Sequence, residues 1–503
     1  RHDRAPHARS GRAHVGSLWC DLRVPLPPQL PADHQPRHRD RVCARGDGRD
    51  RGRRPRGRAG AHHGRGRLRL HAASAAGVLR VHRQRRRRPP RNGPRRRPLH
   101  AAQPELRLQR RPDPAGGDFL GATGRKVAGP GARRSSGLIA PQDAFSSSYA
   151  RARVRFLEGA AAAGMAITSH NHPLPGRDGE TLAMDVALDG SPDAERLLIV
   201  SSACHGAEGY CGSGVQVFAT HDAQWREHAR SAGVAVLYIH ALNPHGFSWV
   251  RRVTQENVDL NRNFQDFSQP LPQNPAYAEL HGLLLPPHWP PTPDNAAAIG
   301  AYIEAHGLAR YQAAVSQGQH AFADGLFFGG TAPTWSNQTL RAVLRRHGRA
   351  ARHLAWIDLH TGLGECGLGE RIFACANDAA ALQRARTWWD GGGKTPVTSI
   401  YDGSSTSALL TGLMWCAAYE ECPQAEYTGI AMEYGTVPIT ELIDALRGDH
   451  WLHLHPEAPP ELQAAIKARM LAAFYVDTDE WKAQIVVQAR QALFQAVDGL
   501  ATA

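Results

Sequence analysis

The stretch Leu197-Leu198-Ile199-Val200-Ser201-Ser202-Ala203-Cys204-His205-Gly206-Ala207-Glu208-Gly209 decides how the rest of this 503-residue chain is read. Leu197 to Val200 form a short apolar run, the pattern of a buried strand. The chain then breaks at Gly206 and Gly209, and a helical pattern resumes from about Gly214. A histidine and a carboxylate three residues apart at the mouth of such a strand, here His205 and Glu208, can converge on one ion. Zinc accepts imidazole nitrogen and carboxylate oxygen at about 2.0–2.2 Å, and a catalytic site keeps one position free. For an isolated HxxE, a helix-start Glu beside a hydrogen-bonded His is the better explanation. Three further segments tip the balance towards an ion site.

Working outward, Ser146-Ser147-Ser148 read as the cap of a helix from Tyr149 to about Ala163, with Val154, Phe156 and Leu157 on its inner side. Leu182 to Ala187 alternates as a strand, and Val234 to Ile239 is another apolar strand following a helix that ends near Gly233. Strand, helix, strand in this order predicts an α/β fold with parallel pairing. The Pro-rich residues 268–300 read as a long connection. Helices are expected over about 294–306, 337–353, 461–475 and 479–497. Gly318-Gln319-His320 and Asp324 to Gly330 read as a loop able to close over a pocket, with His320 a structural residue.

The second segment follows the strand ending at Ile239: Asn243-Pro244-His245-Gly246-Phe247, then Arg251-Arg252, then Asp259-Leu260-Asn261-Arg262-Asn263-Phe264. Arginines on a loop after a strand are placed to bind carboxylate, because the guanidinium fork matches two oxygens. A solvated loop explains Arg251 or Arg252 well, but explains DLNRNF between apolar neighbours less well. The third segment is Trp356-Ile357-Asp358-Leu359-His360-Thr361-Gly362, which puts His360 at the carboxyl end of a buried strand, where α/β sheets bind ligands. Asp358, two residues earlier on the same face, is a candidate to orient an imidazole. The fourth is Ile430-Ala431-Met432-Glu433-Tyr434-Gly435, an apolar strand interrupted by one carboxylate. Burying an unpaired Glu costs several kcal/mol, so Glu433 is expected to serve a proton, a metal or a water.

In this order HxxE, NP…RR…DLNRNF, DLHTG and MEYG resemble the M14-type zinc carboxypeptidase superfamily, and most closely the DUF2817 family, with aspartoacylase and succinylglutamate desuccinylase as cousins. The resemblance covers about residues 143–503. It implies a three-layer α/β sandwich with a mixed, mostly parallel central sheet flanked by helices. It implies that His205, Glu208 and His360 hold Zn2+ and that Glu433 is the general base. Asn261 and Arg262 would grip a substrate carboxylate and Arg252 would stabilise the oxyanion, with Arg251 an alternative one residue away. Tyr401, Tyr419 and Tyr427 lie in the interval of the family's pocket tyrosine, and nothing in the sequence chooses among them. The expected activity is hydrolysis of an amide bond next to a free carboxylate, in a small peptide or an N-acyl amino acid. An N-acyl amino acid amidohydrolase of aspartoacylase type, or a non-catalytic binding protein on the same fold, is the alternative.

Residues 1–142 stand apart. Residues 1–135 hold 34 Arg and one Lys against nine acidic residues, a balance of +26, so the chain's total of +14 leaves −12 for the other 368 residues. With no Ile, Tyr or Met before Ile139, this segment lacks the apolar content to offset the entropy of ordering, and disorder is expected. Its Arg, Pro, Gly, Ala and His content is also what a GC-rich gene gives when translated out of frame. A disordered or mistranslated extension is therefore expected rather than a nucleic-acid arm, and a chain beginning near Ala140 is expected to fold. No stretch has the roughly 18 apolar residues of a membrane helix. The eight cysteines form no CxxC pair and read as reduced thiols, pointing to the cytoplasm.

Overall fold

The computed structural model describes residues 138–503; the expectations for the Arg-rich extension lie outside them. Eight strands form one sheet: β1 (Ala166–Pro175), β2 (Thr181–Asp189), β3 (Arg196–Ser202), β4 (Val234–His240), β5 (His353–Cys366), β6 (Gly369–Phe373), β7 (Val397–Ser399) and β8 (Glu426–Gly435), in the order β1-β2-β4-β3-β5-β8-β6-β7. The central pairings β4–β3, β3–β5 and β5–β8 are parallel, as is β6–β7, while β1–β2, β2–β4 and β6–β8 are antiparallel. The expected mixed, mostly parallel α/β sheet is what forms.

Pleat parity assigns the faces. Helix Gly209–His221 lies so close to β3 and β5 that a Cβ on Gly212 would fall 2.7 Å from Ser202 Cβ and 3.3 Å from Leu359 Cβ. Ser202 and Leu359 therefore face this helix. Side chains alternate across a strand, so Ser201, Asp358 and His360 face the opposite layer. There the Tyr419 ring of helix Cys416–Glu421 packs edge-on against Tyr427 of β8, at 5.0 Å between centroids. Tyr427 shares its face with Ala431 and Glu433. The site residues thus sit under one helical layer, and the long helix Asp479–Thr502 covers the other, with Ala492 O accepting from Trp389 Nε1 at 3.0 Å.

Several local expectations need correction. Helix resumes at Gly209 rather than Gly214, after a 3-10 turn over Gly206–Glu208. The glycines there are points of close approach: a Cβ on Gly206 would lie 1.9 Å from the Gly246 carbonyl carbon. The first helix spans Tyr149–Ala162, and Ser148 caps it by accepting from Arg151 N, but Val154 faces solvent while Phe156 is buried. β2 does not alternate, because it lies between two strands with both faces covered, and Leu182 to Leu188 are all buried. The Pro-rich connection contains a helix, Pro275–Leu284, started by Asn274 accepting from Tyr277 N. Helix Trp335–His347 stops six residues before 353, because the chain must turn into β5.

Two buried histidines make the fold acid-sensitive. Burial pushes His240 down to about 4 and His450 down to about 3 from the ordinary 6.5. Both are essentially inaccessible to solvent. As pH falls below 6.5 the unfolded chain takes up these protons first, so stability is full above 6.5 and is lost as pH drops towards 4. For His240 the shift corresponds to about 3 kcal/mol. Melting temperature should fall across this window, and His450→Leu should flatten the fall, since neither His450 ring nitrogen has a hydrogen-bond partner among the described residues. An unchanged slope in His450→Leu would refute its share.

Candidate functional site

At the carboxyl end of β3 the backbone turns through Ala203, which adopts φ 57, a left-handed conformation that costs a non-glycine residue about 1–2 kcal/mol. The turn presents His205 and then Glu208, and is pinned by Gly206 N and Ala207 N donating to the carbonyls of Arg252 and Arg251 at 3.1 and 2.9 Å. His360 arrives from β5. Glu433 is its direct Cα partner on β8, so both project from one row of the sheet.

The two imidazoles meet on one carboxylate. His205 Nδ1 lies 2.8 Å from Glu208 Oε1, and His360 Nδ1 lies 2.8 Å from Glu208 Oε2. Each ring is backed on its other nitrogen by a second carboxylate. His360 Nε2 meets Asp358, whose other oxygen accepts from Ser201 Oγ at 2.5 Å, and Ser201 in turn accepts from Trp356 Nε1 at 2.7 Å. His205 Nε2 lies 3.3 Å from Asp259 Oδ1 and 2.8 Å from Arg252 Nη2. All three groups are almost fully buried.

Donor atoms of His205, Glu208 and His360 lie within 4.8 Å of one another. Two imidazole nitrogens and a carboxylate oxygen, with carboxylates holding the rings from behind, are a donor set suited to zinc. Cys204, Asp358 and His360 also lie within 4.8 Å of one another. That grouping is the poorer one: both Asp358 oxygens already have partners, and Cys204 does not line the cavity onto which His205, Glu208 and His360 open.

The charges of these groups depend strongly on one another. Burial pushes Glu208 up, but the adjacent His205 and His360 outweigh it and hold the carboxyl below its usual range. Burial likewise opposes protonation of His360, but Asp358 and Glu208 outweigh it and raise that imidazole well above 6.5. Burial, with the Glu208 charge nearby, raises Glu433 to about 7. Its Oε1 accepts from Leu363 N at 2.9 Å.

His205, Glu208, Arg252, Asn261, Arg262, His360 and Glu433 all line one cavity. All seven residues singled out in the sequence therefore border one space. Arg252 donates to Asp259 at 2.9 Å and to Glu208 at 3.2 Å, and stacks 5.0 Å from the centre of the Phe327 ring. Arg251 points elsewhere, into a buried pair with Asp449 at 2.9 Å, which leaves Arg252 as the cavity arginine. Arg262 is buried and, among the described residues, donates only to backbone carbonyls, those of Ser316 at 2.6 and 3.1 Å and Asn261 at 2.8 Å. Burial lowers it to about 10, and it has no carboxylate within salt-bridge distance among the described residues. Asn261 accepts from Met414 N at 3.0 Å.

None of the three candidate tyrosines lines the cavity. Tyr401 donates to Cys375 O, Tyr427 lies 3.4 Å from Cys375 Sγ, and Tyr419 packs on Tyr427. Trp415 lies edge-on to His360 at 5.8 Å, and Phe327 and Phe474 also line the cavity. His320 is a structural residue, its Nδ1 lying 2.7 Å from Gly330 O. One site residue escapes a reading by motif: Asp259, which is fully buried and touches both His205 and Arg252. Its only signal in the sequence is an acidic residue heading DLNRNF among apolar neighbours.

Residues 145–488 match the family described as "protein of unknown function (DUF2817)", and the chain belongs to that family, as the motifs suggested. No curated protein matches it. Among solved structures it is similar to carboxypeptidase A from Helicoverpa armigera, at 10% identity and TM-score 0.40 over 71% of this chain and 74% of that one. Bovine thrombin-activatable fibrinolysis inhibitor, solved with tick carboxypeptidase inhibitor, gives 10% identity and TM-score 0.41 over 71% and 98%. Murein-tripeptide amidase MpaA from Escherichia coli O157 gives 12% identity and TM-score 0.26 over 57% and 91%. No helix among the described residues is long and apolar enough to cross a membrane.

Proposed function

We propose that the chain is a zinc-dependent hydrolase that cleaves an amide bond next to a free carboxylate, in a small peptide or an N-acyl amino acid. The observation that carries this reading is the convergence of His205 Nδ1 and His360 Nδ1 on Glu208, with Glu433 beside His360 in the same row. His205, Glu208 and His360 would hold the zinc, which when bound would supply Lewis acidity to a carbonyl and to water. Asn261 and Arg262 hold the substrate carboxylate and so fix the position of the amide beside Glu433. Glu433 accepts a proton from the attacking water as the carbon–oxygen bond forms, then delivers it to the amide nitrogen as the carbon–nitrogen bond breaks. Arg252 donates to the oxygen that gains charge between those steps, and it is pre-positioned by Asp259. The products are an amine and a carboxylic acid.

The role of Arg262 is supported by its state: a buried guanidinium that lines the cavity and has no carboxylate within salt-bridge distance among the described residues is suited to an anionic ligand group. Arg262→Gln should raise KM for substrates with a free carboxylate by about 10–100-fold, the range of a hydrogen bond to a charged group. The corresponding carboxamides should be hydrolysed poorly by the wild type and with little further loss by the variant. Equal losses on both substrates would exclude the clamp. Metal analysis of the purified chain with a panel of C-terminal dipeptides and N-acyl amino acids tests the reaction class itself.

A further inference from the structure

On β8 and β6 the row of the sheet next to Glu433 is apolar. Ala431 lies one pleat before Glu433, and its register partner on β6 is Ile372. Ala374 continues this wall, and Ala408 and Leu410 of the loop after β7 close over the same space. Three of these five residues are alanines, so the wall is recessed as well as apolar. Glu370, the β6 partner of Glu433, does not line the cavity. Its carboxylate is occupied by Thr398 Oγ1 at 2.6 Å and by the Thr406 amide at 3.1 Å. The charged side chains that do line the cavity are His205, Glu208, Arg252, Arg262, His360 and Glu433, all assigned to the ion site, the base, the oxyanion or the carboxylate clamp. No group is left to neutralise a second charge on the ligand, and an unpaired charge against this wall is strongly disfavoured.

We infer that this recess seats a large apolar side chain, so that the substrate class is a peptide or N-acyl amino acid ending in an aliphatic or aromatic residue rather than an acidic or basic one. The inference rests on the amide-hydrolase reading for the placement of the substrate carboxylate. It also separates the chain from an enzyme built for N-acyl aspartate, which would need a second cation here.

Binding and turnover are tested apart. Calorimetry on the zinc-loaded, full-length Glu433→Gln chain would compare N-acetyl-phenylalanine, N-acetyl-leucine, N-acetyl-aspartate and N-acetyl-lysine. The first two should bind about tenfold or more tighter than the last two. Adding Ala408→Trp, at a half-buried loop position, should weaken N-acetyl-phenylalanine by about tenfold and N-acetyl-alanine by less than about threefold, because only the larger side chain needs the recess. Equal or tighter binding of the aspartate or lysine derivative, or no binding by any of the four, would overturn the inference. Should Ala408→Trp not fold, the four-ligand comparison still decides. Hydrolysis assays on the wild-type chain report separately on the amide-hydrolase reading, so either can fail while the other stands.

Discussion

Glu433→Gln should reduce turnover on an established substrate by about 10²–10⁴-fold, the range of general-base loss, while zinc content stays that of the wild type. Glutamine keeps the size of the side chain, and its amide oxygen can still accept from Leu363 N, so the β5–β8 row is preserved. What it loses is the ability to take up a proton. Glu433 is not one of the three converging donors, so removing its charge leaves the ion's immediate partners in place. Paired measurements of kcat and of metal by elemental analysis check both halves. Full activity would mean that another residue is the base; loss of zinc together with activity would make Glu433 a ligand.

Glu208→Ala should have the other large effect, abolishing zinc binding and activity together. Glu208 accepts from both imidazoles, from Arg252 and from Thr361 N, so its removal takes away the carboxylate on which all of them converge and leaves Asp259 and Asp358 behind the rings as the remaining counter-charges. Zinc that binds only the folded chain stabilises it by about 2.7 kcal/mol at one hundred times its dissociation constant. The wild-type melting temperature should therefore climb with added zinc, and that climb should vanish in Glu208→Ala. A variant that retained stoichiometric zinc would show that the ion sits elsewhere, with Cys204, Asp358 and His360 the next grouping to test.

The strands that build the site are legible in the sequence because their signal is local. Leu197 to Val200 and Val234 to Ile239 are apolar runs that only a covered sheet can bury, and both fall inside parallel strands. Glycine is harder. Gly206 and Gly209 look like breaks, yet they are sites of contact with Gly246 and Phe247, residues near forty positions away. A glycine used for close approach and one used for a turn are the same letter. The helix Pro275–Leu284 is hidden for a related reason: prolines mark both a connection and the first turn of a helix, and Asn274 as cap distinguishes them only once seen.

The sequence alone determined the α/β class, the family and seven of the residues that border the cavity, because His205, His360 and Glu433 come at or near strand ends, where the fold needs little more than alternation to aim them. It did not determine which neighbour in a pair does what. Arg251 and Arg252 differ by one position, and a buried Asp449 nearly two hundred residues away draws Arg251 out of the site. Tyr401, Tyr419 and Tyr427 are equal candidates until packing places their hydroxyls away from the cavity. Asp259 behind His205, and the apolar recess formed by β6, β8 and a distant loop, exist only in three dimensions. Hydrogen bonds and apolar contacts act over a few ångströms of space with no regard for separation along the chain, so partnerships between distant segments were left for the tertiary structure to decide.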